Sequence, residues 1–443
     1  MIKHELTIHE TYKDSDIGWM PNIPDQWKQK RLKDLIERLE SGVSVNSTDY
    51  PAEDGEYGVL KTSCVNGNCF NPLENKTIWS EELSRAKCNP QKGNIIVSRM
   101  NTPELVGASG FVDRYYPNLF LPDRLWQTIF YRNAKVDTKW LSHVLVAVRL
   151  REFISCNATG TSPSMKNLAQ ERFLGTSIPF PRFSEQQVIA NYLDSETNQI
   201  DKKIDLLTQK AAKYGELKQS LINETVTRGL DQTVAMKDSG VEWIGEVPEH
   251  WSVERIGMAF EERCEKVNDT DYPPLSVTMN GIVPQLDTAA KTDHNDNRKR
   301  VASKDFVINS RSDRRGSSGV SELDGSVSVI NIVLKPKNNF HGRYLHHLFR
   351  SYRFIEEFYR VGRGIVDDLW TTKYSVMKAI EFSFPKYEEQ KAIADYLDIK
   401  TAHIDKIIEV INAQIERLKE LRKTLINDVI TGKIRVAMEG DAV

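Results

Sequence analysis

Several features that would assign a class at once are missing from this sequence. No run approaches the roughly 18 uninterrupted apolar residues of a membrane span. The first ten residues, MIKHELTIHE, lack the apolar core of a signal peptide, so a cytoplasmic protein is expected. Cysteine is scarce: Cys64, Cys69, Cys88, Cys156 and Cys264 are odd in number, spread out, and form no C-x-x-C pair. That pattern argues against a disulfide framework, and against structural zinc, in favour of buried thiols in a reducing compartment. No G-x-x-x-x-G-K-[ST] loop is present for a nucleoside triphosphate. No glycine-rich loop suits a methyl-donor nucleotide, and NPLE at Asn71 is a weak match to the N-P-P-[FY] tetrapeptide that holds a flipped adenine. No strand-borne acidic pair followed by lysine marks a nuclease centre. His346 and His347 are adjacent on an apparent helix and so point to different sides, a poor metal pair. A non-catalytic chain with no metal and no cofactor of its own is expected. An excess of positive charge is absent too. With 60 Lys+Arg against 62 Asp+Glu the net charge is −2, so any nucleic-acid-binding surface has to be local.

What the sequence does contain is a repeat. At 443 residues the chain is too long for one ordinary core, and about 150 residues per domain suggests two or three. SDIGWMPNIPDQWKQKRL (Ser15–Leu32) recurs as SGVEWIGEVPEHWSVERI (Ser239–Ile256), aligning Trp19, Pro24, Trp27 and Arg31 with Trp243, Pro248, Trp251 and Arg255. FPRFSEQQVIANYLDSETNQIDKKI, from Phe180, recurs as FPKYEEQKAIADYLDIKTAHIDKII, from Phe384, and SLINETVTRGL recurs as TLINDVITGKI. Each unit is thus a Trp–Pro–Trp motif, a variable globular stretch, a P-x-x-x-E-Q hinge and a long helix. A shared frame with divergent contents suggests one scaffold presenting two different recognition surfaces; a duplicated fold without functional division is the plainer alternative.

Heptad spacing runs through both helices. Ile404, Ile408, Ile411, Ile415, Leu418, Leu425 and Val429 alternate steps of four and three, with Arg422 in the one gap. Ile200, Ile204, Leu207, Ala211, Tyr214, Leu221 and Thr225 hold the same register, with Lys218 where Arg422 stands. Such a stripe buries a narrow seam against a partner helix, and a basic seam residue weakens packing while specifying register. Pro181 and Pro385 precede the helices, as helix-start signals do. About a dozen residues separate the end of the first helix from Trp243, so the two helices are expected to pack antiparallel with a domain at each end. The carboxyl terminus then returns to the first domain, where the amino-terminal arm meets the end of the second helix.

The variable stretches read as mixed α/β. GNIIVSRMN and KDFVINSRSDRR are β-rich runs ending at Arg99 and Arg311, each followed by a glycine-serine turn and a further strand. The tips carry Arg99, Asn101 and Thr102, or Arg311, Arg314 and Arg315, side chains suited to the edges of guanine and adenine. Between Ala290 and Val320 lie eight basic residues (Lys291, Arg298, Lys299, Arg300, Lys304, Arg311, Arg314, Arg315) against four aspartates, although charge runs are commonly just solvated loops. Before each hinge comes a glycine loop, in which Thr159, Thr161, Ser162 and Lys166, with Arg363 and Lys373, are phosphate candidates by residue type.

Two variable domains, each closed by P-x-x-x-E-Q and an I-A-x-Y-L-D-x-x-T-x-x-I-D helix, resemble the specificity subunits of type I restriction–modification enzymes along essentially the whole chain. The matching motifs are Glu185-Gln186 through Asp201 and Glu389-Gln390 through Asp405, with the Trp19 and Trp243 motifs. The resemblance implies an α+β fold: two α/β target-recognition domains separated by two long antiparallel helices that form a coiled-coil spacer, in a pseudo-two-fold repeat. It implies an arm at 1–20, domains at 21–182 and 243–386, spacer helices at 183–230 and 387–434, a linker at 231–242 and a tail at 435–443. It also implies double-stranded DNA, two methyltransferase subunits carrying S-adenosylmethionine, and motor-nuclease subunits using ATP and Mg as partners. A methylation-only or phage-exclusion system, a coiled-coil scaffold without a DNA role, and a self-contained enzyme are the rival readings.

Overall fold

The computed structural model describes residues 4–162, 164–287, 296–364 and 370–438. The chain divides into two compact units, Met1–Leu206 with Gln414–Val443, and Leu207–Ala413. Two long helices, Phe183–Arg228 and Tyr387–Ile430, each contribute one stretch to either unit. The expected fold class is what the structure shows: an α/β globular part built twice, each time with two antiparallel helical stretches.

In the first unit a four-stranded antiparallel sheet runs in the order Ser109–Phe111, Ile95–Ser98, Leu125–Phe130, Ile36–Ser41. The inner strand reads IIVS and is buried throughout, as a β-branched run covered on both faces should be. The helix Thr138–Val146 turns Trp140, Leu141, Val144 and Leu145 inward and begins at Asp137, whose carboxylate accepts from the Trp140 amide at 2.9 Å. Leu193 of the first long helix and Ile426 and Val429 of the second are buried in the same core as Trp27, Trp126 and Trp140, so both helices are rooted in it. A smaller cluster surrounds Cys64, Val65, Ile96 and Leu121. Burial pushes the Cys64 thiol up, and that of Cys88 to about 11. Among the described residues no three His, Cys, Asp or Glu side chains are grouped to hold a metal ion.

The ends of the chain meet in this unit: strand His4–Thr7 pairs antiparallel with Arg435–Met438. The Tyr12 hydroxyl donates to the Gly432 carbonyl at 2.8 Å, where the second helix stops. Gly432 has φ 68°, and a Cβ there would lie 2.5 Å from Pro24 Cγ, so glycine is required on both counts.

The second unit repeats the sheet in the same order: Ser318–Val320, Phe306–Asn309, Asn331–Pro336, Phe260–Glu262. Its core is more aromatic, with Phe260, Phe306, Phe349, Phe354, Phe358 and Phe382 buried around Trp251. Val226 of the first long helix and Ile393 and Leu397 of the second complete it.

Along the helices the seam positions are the sheltered ones. In the first unit Ile200 and Ile415 are buried and Ile204, Leu418 and Leu425 half-buried; in the second, Ile404 and Ile411 are buried and Leu207, Ala211, Tyr214, Leu221 and Ile408 half-buried. The two basic seam residues each reach a carboxylate on the opposite helix. Arg422 meets Asp201 at 3.0 Å in the first unit, and Lys218 meets Asp405 at 2.6 Å in the second. Asp201 and Asp405 are the aspartates of the repeated I-D motif, so the pairs are reciprocal copies of one contact.

Candidate DNA-recognition surface

The hinge motif fastens each domain to its helix. Glu185 accepts the Trp27 indole N–H at 2.9 Å, and Glu389 accepts that of Trp251 at 3.0 Å. Gln186 and Gln390 are buried. Gln186 donates to the Pro181 carbonyl at 3.0 Å and accepts the Asp137 amide at 2.9 Å; Gln390 does so with Pro385 at 2.8 Å and His341 at 3.0 Å. A buried amide that satisfies two backbone groups cannot be exchanged for an apolar side chain without orphaning both. His143 and His347 each lie 2.8 Å from an aspartate of the same helix start, Asp194 and Asp398. The sequence reading missed these anchors, although TKWLSHVL at Thr138 and GRYLHHLF at Gly342 repeat at the hinge motif's own spacing.

On this frame the two candidate groups of the first half come together. Strands Thr159–Ser162, Met165–Asn167 and Met100–Asn101 form one three-stranded sheet, with Lys166 opposite Asn101. The Gly160 backbone approaches so closely that a Cβ there would sit 2.1 Å from the Met165 carbonyl oxygen. Asn101 is half-buried, its amide 3.3 Å from Asn66 Oδ1 and its carbonyl accepting the Thr102 amide at 2.9 Å. Arg99 is half-buried, its guanidinium 5.6 Å from the Trp126 ring, and its buried Nε has no hydrogen-bond partner among the described residues. Thr161 and Ser162 belong to the strand, but their side chains lie outside those described.

The second half assembles the same way. Thr371 bridges both Arg311 and Arg363, and the Thr372 amide donates to the Ser310 carbonyl at 2.9 Å. The corresponding bond in the first half runs from the Leu168 amide to the Arg99 carbonyl at 2.8 Å. Ser310, not Arg311, therefore stands where Arg99 does, and Arg311 takes the place of Met100. The one-residue slip moves the side chain to the opposite face, which local sequence matching does not reveal.

The basic run of the second half is mostly occupied. Arg298 is buried and donates to Ser326, Lys299 pairs with Glu262 at 2.8 Å, and Arg300 with Glu265 at 3.1 Å. Arg311 and Arg314 share Asp313, at 3.2 and 3.8 Å, while Arg315 reaches Glu356 at 3.3 Å and lies over Tyr359. Lys291 lies outside the described residues. Exposed cations remain at Lys304, Arg311, Arg314, Arg315, Arg363 and Lys373, whereas Arg99, Asn101, Thr102 and Lys166 are half-buried. Beside Arg315 a cavity of about 940 Å³ reaches Trp243, Tyr352 and Trp370; its counterpart beside Trp19 holds about 430 Å³. Trp19 donates its indole N–H to the Ser177 carbonyl at 2.9 Å, while that of Trp243 finds no partner among the described residues.

A family model described as the type I restriction modification DNA specificity domain matches residues 24–213. Over 96% of its length the chain is 25% identical to the protein named as the MjaX type I restriction specificity subunit of Methanocaldococcus jannaschii, covering 97% of it. It is 22% identical to the MjaVIII specificity subunit of the same organism, over 97% of this chain and 99% of that one. Along nearly its whole length this chain is similar to type I specificity subunits. A chain from a solved type I R-M system shares the fold, with a TM-score of 0.68 at 14% identity over 93% of this chain and 99% of the other. The matched family model is a DNA specificity domain, which supports a role in DNA sequence recognition. Among the described residues no helix is long and apolar enough to cross a membrane.

Proposed function

We propose that this specificity subunit reads a DNA site in two parts, one with each target-recognition domain, and brings partner subunits to it. The observation that carries the reading is the same three-stranded element offering different side chains in each half. In the first, Asn101 and Lys166 pair across it; in the second, isolated bridges join Arg311 and Arg363 to Thr371 on the face opposite to that of Asn101, with Lys373 beside them. Asparagine and arginine read adenine and guanine edges, while Thr102, Thr161, Ser162, Arg99, Arg314 and Arg315 are placed by type for phosphate or flanking bases. Helices of 46 and 44 residues, roughly 70 Å at 1.5 Å per residue, are long enough to hold half-sites about 34–36 Å apart on one DNA face.

The helical stretches of each unit also offer a docking face. Leu206 and Leu421 in the first unit, and Leu217 and Val410 in the second, are exposed at heptad positions flanking the seam. Their neighbours on that side include Lys203, Lys210, Lys213 and Arg417 and no carboxylate. Two methyltransferase subunits, carrying S-adenosylmethionine and acting on adenine, are assigned to this face, with motor-nuclease subunits supplying ATP- and Mg-dependent cleavage.

A methylome of cells carrying the intact system tests the reading. Expected is a bipartite motif with a fixed gap, and exchanging residues 20–180 for another such domain should change one half-site only. An assembled complex that binds random and genomic DNA equally would sink it.

A further inference from the structure

The second unit contains a cavity of about 280 Å³ that no part of sequence reading uses. Lys218 of the first long helix and Asp405 of the second wall it, with Asn280, Arg343, His346 and Arg350. Two of its three cations have carboxylate partners: Lys218 pairs with Asp405 at 2.6 Å and Arg343 with Asp398 at 2.6 Å. Arg350 has none among the described residues. Its guanidinium meets the His346 imidazole at 2.5 Å and the Met279 carbonyl, and its buried Nε finds no acceptor. Burial, with Arg350 and Arg343 alongside, holds His346 neutral, its pKa pushed down to about 3. A sheltered guanidinium facing only a neutral ring and a carbonyl lacks the counter-ion that ordinarily offsets its desolvation.

The frame does not require these groups. In the first unit Lys139 pairs with Asp194, His143 lies against Asp194, and Arg422 pairs with Asp201, the counterparts of Arg343, His347 and Lys218. There, however, Ser142 and Val146 stand where His346 and Arg350 stand in the second. The unmatched cation and its imidazole are additions to a scaffold that folds without them.

We propose that this cavity is an oxyanion site that takes one phosphate group, with Arg350 supplying the uncompensated charge and Arg343, Lys218 and Asn280 forming the rim. Its volume falls just below the roughly 300–1,000 Å³ of sites for drug-sized ligands, in keeping with a small anion or a single backbone phosphodiester. Two sources share this chemistry, a phosphodiester of bound DNA and free phosphate. The inference goes beyond the specificity reading, and only its DNA arm rests on that reading.

The test titrates inorganic phosphate into the full-length chain, following Tm and the His346 imidazole resonances. Wild type should show a saturable shift, and the ring should titrate at higher pH once an anion sits beside Arg350. The double variant Arg350→Val/His346→Ser, which installs the residues of the sister unit, should weaken phosphate at least tenfold; Arg350→Gln alone serves if that variant folds poorly. In parallel, the salt dependence of DNA binding is measured on the assembled complex. A slope of log K against log salt shallower by about 0.9 in the variant assigns the site to one DNA phosphate. Loss of phosphate binding with an unchanged slope assigns it to the free ion. If wild type and variants respond alike to phosphate and the slopes coincide, the proposal is overturned. A wild-type complex without sequence preference would instead strike the specificity reading and leave the phosphate titration standing.

Discussion

The two halves of this chain agree to the level of single hydrogen bonds in one place and share almost nothing in another. Indole to glutamate, glutamine to proline carbonyl, imidazole to aspartate and seam cation to seam aspartate all recur with distances that differ by at most 0.4 Å. The regions beyond the four-stranded sheets differ in both strands and cores. The first half packs Cys64, Val65 and Leu121 against Ile96; the second builds a hairpin of Leu275–Thr278 and Gly281–Pro284 over Val301, Val327 and Val333. The difference follows from what each region has to satisfy. A buried polar group restricts its neighbours to those that complete its hydrogen bonds, so the hinge tolerates few solutions. Regions without such buried polar anchors carry less internal constraint and are free to diverge.

The largest effect should come from the hinge itself. Trp27→Ala and Trp251→Ala each remove a fully buried ring and take an indole donor from a glutamate, at a cost of about 3–5 kcal/mol. Hydrogen exchange resolved along the chain in mild denaturant should show each substitution loosening its own unit. Equal loosening of both units by either substitution would mean that they unfold as one body.

Acid should separate the halves next. Because His346 is held neutral down to about pH 3 while an unfolded histidine protonates near 6.5, the unfolded chain binds the extra proton between those values. Stability of the second unit therefore falls with pH across that window, by up to about 1.4 kcal/mol per pH unit from this group. The first unit has Ser142 at that place; its own depressed histidine is His9, lowered by burial and by Arg435. At Asp194 and Asp398 burial alone would raise the carboxyl pKa. Hydrogen bonds from His143 and Lys139, or from Arg343 and His347, outweigh it, so the stability of these pairs is lost from the ordinary carboxyl pKa downward, at the acid end of that window and below. Acid titration should unfold the second unit first, and His346→Ser should remove most of the gap. Coincident midpoints in wild type would contradict this.

Much of the frame was legible because the sequence states it twice: two tryptophans, the E-Q pair and the heptads recur at fixed spacing. Lys218 and Arg422 stood out as matching breaks in the seam, and their aspartate partners lay within the quoted motif. The candidate surface was less legible. Nothing local tells Met100–Asn101 to pair with Met165–Asn167, since strand partners distant in sequence are chosen by the core beneath them. The match of Arg99 to Arg311 failed for the same reason, and the basic run lost its apparent surplus because Arg298 and Lys299 are used inside the sheet.

A smaller effect, of opposite sign, is expected at Lys304. This residue has φ 76°, and its amide donates to the Ser321 carbonyl at 2.7 Å. In the first half Gly93, with φ 86°, makes the matching bond to Val112 at 2.8 Å. A side chain in that conformation costs about 1–2 kcal/mol that glycine avoids, partly offset by glycine's greater freedom when unfolded. Lys304→Gly should therefore raise the stability of the second unit by up to about 1 kcal/mol, read as a higher denaturation midpoint. An unchanged or lower midpoint would show that the turn is not strained.

The smallest effect belongs to the seam pairs. Asp201 and Asp405 are half exposed, so water screens both contacts and each is worth only about 0.2–1 kcal/mol. Lys218→Glu should cost that much or slightly more, because it sets a second carboxylate beside Asp405, and Lys218→Glu/Asp405→Lys should recover most of the loss. The same cycle on Arg422 and Asp201 should give a coupling of similar size, since the two pairs are one contact repeated. High salt should shrink both couplings together. A coupling in one unit and none in the other would mean that the repeated geometry carries unequal energy, and that the register of the helices is held from one end.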